Sequence, residues 1–338
     1  RNAMPTQPLR ASLLVIAALA FASLSSAQAA AAIPFKVGIA APTVNMLPLW
    51  MGQSSGLFKA RGFDLEIVNT DGGSRGLSEV GRGRLQAMIV GLSAVIDANG
   101  KGGDYRLIAS GANTMSFRFF GARNVAGATE LKGRKIGVSA FGSESDSAAL
   151  MALKRLGLGR TDVTLVEAGG TLKRLAGLES GMIAATALNE PADTQATRDG
   201  LPLLVDLKAD LPWIFTAIVM DRRYLAAHRE AVKDFLSAYV EAIYLSLSDS
   251  QRAKAVLASE FKDFRPDVVE ATYADFVARV PRDAAPSRAG AETMLRELPG
   301  LGVPVKSTEL GDYIDEGLIE ELRREGFFEA MKTKYRVP

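Results

Sequence analysis

Apolar and polar positions alternate along this chain with two periods. Residues 35–40 form a short apolar run that enters a loop at Pro42, which predicts a strand. Residues 47–60 carry Leu49, Trp50, Gln53 and Leu57 at helical spacing and predict one helix ended by Gly62. Phe63–Asn69 alternates strictly and predicts a second strand. A turn at Gly72, Gly73 and Ser74 leads to a short helix over 75–82, then a strand over 85–90. Gly91-Leu92-Ser93 turns into a helix that stops at Gly100, and a fourth strand covers 105–110.

The same alternation then restarts. Strands are expected over 136–138, 163–167, 182–188 and 203–206, and helices over 145–156, 172–178 and 192–199. From Asp221 onward the pattern is mostly helical. Val232, Leu236, Tyr239, Val240, Ile243 and Leu247 share one helix face, and Pro266 suits the first turn of another helix. Strands alternating with helices predict an α/β fold in which each half holds a mainly parallel sheet.

The first thirty residues break this pattern. Arg10 precedes an apolar stretch over 13–24, and small residues follow at Ser25, Ser26, Ala27 and Ala29. This stretch is shorter than the ~20 apolar residues a membrane span needs and ends in small-x-small steps, so residues 1–29 read as a cleaved export signal behind a short appended remnant. The expected destination is the periplasm.

Composition then closes off chemistry. There is no Cys and one His among 338 residues, which removes thiolate metal sites, disulfides, cysteine nucleophiles and multi-His metal sites. Forty basic against 38 acidic residues argue against a general nucleic-acid binder. Arg1 and Arg10 carry the whole excess. His228 sits in a charged helix and is assigned no role, and no phosphate loop or nucleophile elbow is present.

Three segments carry a family resemblance: "KVGIAAPTVNMLPLWMGQSSGLFKARGFDLEIV", "LKGRKIGVSAFGSESDSAALMALKRLGL" and "LESGMIAATALNEP". Their order and spacing resemble the substrate-binding proteins of ABC importers, in the group that binds sulfonates, nitrate, taurine and thiamine precursors. The resemblance covers about residues 33–250. It implies a type II periplasmic-binding-protein fold of two lobes joined by two crossing strands, with a small ligand in the cleft and closure by hinge bending. Lobe one is expected over 33–112 plus 217–338 and lobe two over 118–212, with hinges near 111–117 and 213–216.

Candidate ligand residues lie in the loops that follow the strands. Thr43, Asn45 and Met46 follow the first; Thr43 or Asn45 would otherwise cap the next helix. Gly73 and Ser74 follow the second, and Gly91 and Ser93 the third. At the first hinge, Asn113 and Arg118 are candidates, and the planar fork of Arg118 suits a carboxylate or sulfonate. Ser139, Gly142 and Ser143 precede a helix start that would favour an anion, yet Glu144 and Asp146 already bring negative charge there. That conflict makes a neutral or cationic heterocycle a competing ligand. Asn189 and Glu190 end a strand at an acidic-Pro turn that commonly faces the cleft in this family, and Trp213 lies at the return hinge.

The expected function is therefore capture of a small organic solute and its delivery to a membrane ABC permease, by a monomer without cofactor or metal. A periplasmic sensor or adaptor is the alternative. An enzyme like the thiamine-pyrimidine synthases on this fold is disfavoured, since those look to depend on His and a Cys-rich motif.

Overall fold

The computed structural model describes residues 32–208 and 211–337, so the expected signal over 1–29 lies outside the described residues. Two five-stranded sheets form the frame. The first contains β1 (Ile33–Ile39), β2 (Phe63–Asn69), β3 (Ala87–Val90), β4 (Tyr105–Thr114) and β10 (Pro212–Asp221), in the order β2-β1-β3-β10-β4. The second contains β5 (Arg118–Gly121), β6 (Lys135–Val138), β7 (Thr164–Glu167), β8 (Ala185–Leu188) and β9 (Leu203–Asp206), in the order β7-β6-β8-β5-β9.

In each sheet one strand runs against the other four. β1 pairs in parallel with β2 and β3, while β10 is antiparallel to both β3 and β4. Likewise β6 is parallel to β7 and β8, and β5 is antiparallel to β8 and β9. The mainly parallel expectation holds, and the exceptions are the strands that carry the chain between sheets. β4 passes through Met115, Ser116 and Phe117 directly into β5, and β10 returns from the second sheet to the first. The β4–β10 register is irregular between Pro212 and Val219, and irregular pairing bends strands locally.

The structure corrects three local expectations. The helix over 47–60 is two helices, Leu47–Ser54 and Leu57–Ala60, because Gly56 takes the left-handed conformation (φ 74°) between them. β4 and β10 each run to ten residues, β4 into the first segment read as a hinge and β10 through the second. β5 was not foreseen, because four residues between a hinge and a Gly show no periodicity of their own.

One face of the first sheet packs on the helix Arg229–Ser248. Phe235 stacks on Phe35 with ring centroids 4.4 Å apart and on Phe58 at 5.3 Å. Val232, Leu236, Tyr239, Val240 and Ile243 are fully buried there, as the helical spacing requires. A second apolar cluster runs without a break from Leu77, Val90 and Leu92 through Phe117 and Phe215 to Val138 and Leu188 of the second sheet. Burying each such side chain stabilises by about 1.5–3 kcal/mol, so this continuity favours the closed arrangement. Among the described residues, no helix is long and apolar enough to cross a membrane.

Candidate functional site

The two lobes meet around a cavity of about 60 Å³. Its walls are the loops at the carboxyl ends of parallel strands: Ala40 and Ala41 after β1, Gly91 after β3, Ser139 after β6 and Asn189 after β8. Ligands in open α/β sheets bind at such ends, where loops diverge. Phe117 and Phe215, one from each crossing segment, meet edge to face at 4.8 Å and form an apolar wall.

Hydrogen bonds and ion pairs hold the lobes together around it. Ser74 Oγ donates to the Phe141 carbonyl at 2.9 Å, and Val44 N donates to the Glu190 carbonyl at 3.3 Å. Arg75 Nη2 reaches Glu167 Oε2 at 2.7 Å, and Lys173 Nζ reaches Asp71 Oδ2 at 2.5 Å.

Glu144 makes the most buried of these bridges. It opens the helix Glu144–Arg155 of lobe two, yet its carboxylate crosses to lobe one. There it accepts from Ser93 N at 2.7 Å and from the Ser93 hydroxyl, and its other oxygen accepts from Trp213 Nε1 at 2.7 Å. The carboxylate thus occupies the start of the helix Leu92–Gly100, where free backbone N–H groups favour negative charge. Burial pushes its pKa up to about 7, against the pull of the Ser93 and Trp213 hydrogen bonds. Gly91 is required beside it, since a Cβ there would lie 2.2 Å from Glu144 Oε1.

At the start of the helix Glu144–Arg155, Ser139, Ser143 and Ser145 join their hydroxyls at 2.9–3.0 Å, and Ser145 Oγ also accepts from Ser139 N at 2.8 Å. Asp146 accepts from Gly142 N at 2.9 Å, and its pKa is raised by burial. The negative charges that seemed to oppose an anionic ligand are therefore turned into the protein's own hydrogen bonding.

Of the residues expected at the ligand, Thr43, Met46, Gly73, Gly91, Ser139, Ser143 and Asn189 line the cavity. The others lie elsewhere. Ser74 and Ser93 make the interlobe bonds just described, and Asn45 is buried in the short turn before Leu47. Gly142 takes φ 75°, and a Cβ there would meet Asp97 Oδ2 at 2.4 Å. Trp213 is fully buried and serves Glu144. Asn113 tethers the hinge to Ala285 and Ser287, donating at 2.8 Å and accepting at 3.0 Å.

Arg118 and Glu190 belong to a separate ionic cluster. Arg118 pairs with Asp206 at 3.1 Å and Asp193 at 3.5 Å. Lys208 Nζ lies 2.7 Å from Asp193, 3.1 Å from Glu190 and 3.4 Å from Asp275, the last on the lobe-one helix Pro266–Arg279. Burial raises the Asp193 carboxyl and the Glu190 charge adds to the shift. With its fork already committed to two carboxylates, Arg118 does not face the cavity.

The cavity instead includes residues that sequence reasoning passed over: Thr171 and Arg174 of the helix Thr171–Glu179, and Thr216 of β10. Arg174 is 2% exposed. Its Nη1 donates to the Gly169 carbonyl at 2.7 Å, its Nη2 to the Ala187 carbonyl at 3.0 Å, and its Nε to Thr186 Oγ1 at 3.1 Å. Burial alone draws its pKa down to about 9. The signal for it was helical phase: Thr171, Arg174, Leu175 and Leu178 fall together on the buried face.

Several solved structures share this architecture. A Bordetella bronchiseptica RB50 protein is 22% identical with a TM-score of 0.76, the match covering 90% of this chain and 98% of that one. The alkanesulfonate-binding protein SsuA from Xanthomonas axonopodis pv. citri, solved with MOPS bound, is 19% identical with a TM-score of 0.70, over 85% of this chain and 100% of that one. The nitrate-binding protein NrtA from Synechocystis PCC 6803 is 13% identical with a TM-score of 0.67, over 91% and 90%. At these identities the likeness establishes the periplasmic-binding-protein fold. No curated protein matches the chain. Residues 43–253 match the family described as NMT1/THI5 like, and the chain belongs to that family.

Proposed function

We infer that this protein is an exported solute-binding protein, which encloses a small organic molecule between its lobes and presents the closed form to a membrane ABC permease. The observation that carries this reading is the cavity itself. It is built from strand ends of both sheets and closed by hydrogen bonds from one lobe to the other, among them Ser74 to Phe141 and Glu144 to Ser93. Family membership and the fold support it, although folds of this kind host more than one activity. On this reading lobe one comprises 33–112 and 217–338, lobe two 118–212, and the chain acts as a monomer in the periplasm after loss of residues 1–29. Catalysis plays no part.

Native mass spectrometry of the purified chain, before and after unfolding and refolding, tests this. The expected result is one small molecule carried through purification, whose return to the stripped chain raises the melting temperature and lowers the radius of gyration in solution scattering. Absence of any carried molecule, together with no shift from a panel of small acids, amides and heterocycles, overturns the reading.

A further inference from the structure

Two buried carboxylates share one ammonium beside the return crossing. Asp193 is fully buried, and Glu190 and Lys208 are nearly so. Lys208 Nζ lies 2.7 Å from Asp193 Oδ2 and 3.1 Å from Glu190 Oε1. The charges around this centre are matched among themselves. Asp206 of β9 pairs with Arg118 of β5 at 3.1 Å, Asp275 with Arg279 at 2.8 Å, and Asp267 with Arg198 at 2.5 Å. The helix Thr171–Glu179 packs on the helix of Asp193 and adds no counter-charge: Lys173 pairs with Asp71, Arg174 turns to the carbonyls of Gly169 and Ala187, and Glu179 faces Asp199 and Arg123. Arg118 offers Asp193 only a further contact at 3.5 Å. With every group ionised, the buried centre holds one negative charge too many.

Lobe one covers this centre. From its helix Pro266–Arg279, Asp275 Oδ1 comes within 3.4 Å of Lys208 Nζ, and Thr272 Oγ1 lies 3.5 Å from Glu190 Oε2. The covering helix excludes water and brings another carboxylate to the shared ammonium, and both effects disfavour a second charge on the pair. Two acids held this closely titrate as a pair, and the proton belongs to the pair. Burial, with the Glu190 charge added, pushes the Asp193 carboxyl up to about 7, although Lys208 and Arg118 pull it down.

We propose that Asp193 and Glu190 hold one proton between them in the closed form, taken up as the helix Pro266–Arg279 covers Lys208, so that this cluster is a proton-linked latch between the lobes. When the helix lifts, water reaches Glu190 and Lys208, both acids ionise and the proton leaves to solvent. The latch needs the two-lobe fold and nothing of a ligand in the cavity, so it stands apart from the capture reading. It also shares no group with the Glu144 bridge.

The folded chain then binds one proton more than the unfolded chain from about pH 4, the ordinary carboxylate range, up to about pH 7. Stability falls with rising pH across that window, by up to about tenfold in the folding constant per pH unit, and the contribution is level above it. Urea titrations of the full chain from pH 5 to 8 test this with two variants, and Glu144 titrates alike in all three chains. Glu190→Gln removes the surplus charge and keeps the shape. Relative to wild type, its folding constant is expected to rise by up to about tenfold per pH unit from pH 5 to 7, then to hold constant. Asp275→Asn removes a negative charge on the lobe-one side, so the pair loses its proton more readily and the fall in stability ends at lower pH than in wild type. A Glu190→Gln profile parallel to wild type overturns the shared proton. The expected Glu190→Gln profile together with an Asp275→Asn profile parallel to wild type assigns the proton to lobe two alone and overturns the latch. Should Glu190→Gln fail to fold, Asp275→Asn decides alone: an acid shift supports the latch, and a parallel profile overturns it.

Discussion

Replacing Glu144 by Gln tests the bridge between the lobes. Burial lifts this carboxyl from its ordinary 4.5 to about 7. At about 1.4 kcal/mol per unit, the difference amounts to roughly 3 kcal/mol between a state with Glu144 in water and the closed fold. The sign follows from the protons bound. Between pH 4.5 and 7 the closed chain retains the proton that the open or unfolded chain has lost. Lower pH therefore stabilises the closed fold, and this contribution fades as pH rises through 7. For a chain of this size, 3 kcal/mol corresponds to roughly 5 °C in melting temperature. Gln removes the titration but meets donors on both sides, from Ser93 and Trp213. Its amide oxygen satisfies one side only, so the variant loses about 1–2 kcal/mol where wild-type Glu144 is protonated. Melting curves followed by circular dichroism from pH 5 to 8 should therefore converge or cross: the variant melts below wild type at pH 5 and close to or above it at pH 8. Subtracting the curves removes the other titrating groups, whose effects add independently at distant sites. If the curves run parallel across this range, the Glu144 carboxyl is not buried in the bridge as described.

Three further substitutions separate the parts of the closed form. Arg118→Ala leaves Asp193 with Lys208 as its remaining cation, and is expected to lower stability by about 1–2 kcal/mol in urea titrations while leaving affinity for the carried ligand unchanged. A tenfold loss of affinity would return Arg118 to the ligand site. Gly91→Ala places a Cβ within 2.4 Å of three Glu144 side-chain atoms and should cost about 1–3 kcal/mol, with a larger radius of gyration in solution scattering as the bridge is forced apart. Arg75→Ala removes a half-exposed interlobe pair with Glu167, so its effect should stay below about 1 kcal/mol and shrink further in 0.5 M salt; a larger loss would mean the pair carries more of the closure than its exposure allows.

Much of the frame could be read from the chain because its signals are local. The alternation in Phe63–Asn69 and the helical spacing from Val232 to Ile243 report a burial pattern that each segment imposes on itself, and both elements formed where expected. The strand-end loops could be read for the same reason, which is why Thr43, Gly91, Ser139 and Asn189 reach the cavity. What escaped was pairing across long separations. Glu144 and Ser93 lie 51 positions apart, and nothing near Glu144 distinguishes a carboxylate that caps another lobe's helix from one that complements its own. The two arginines show the same limit. Arg118 stood beside a hinge and looked available, but Asp193 and Asp206 reach it through strand pairing and a later helix. Arg174 stood beside Lys173 on the expected helix over 172–178 and drew no role, although its helical phase with Thr171, Leu175 and Leu178 turns it inward while Lys173 pairs outside with Asp71.

The charges at the cavity divide the task of closing between the chain and its ligand. On the lobe-one side the closed fold supplies its own anion: Glu144 fills the helix start at Ser93, with three donors answering its carboxylate. The outer pairs, Arg75 with Glu167 and Lys173 with Asp71, are partly exposed and are each worth about 1 kcal/mol or less. Burying Glu144 charged above pH 7 opposes closure by roughly 3 kcal/mol in the comparison made above. These polar contributions are small beside the apolar cluster that runs unbroken between the two sheets, so they adjust the closed arrangement and do not decide it. A ligand shifts the population of the closed form only by its differential affinity for the two forms, and a factor of ten is about 1.4 kcal/mol. On the lobe-two side the charge is not balanced internally, because Arg174 meets only neutral acceptors.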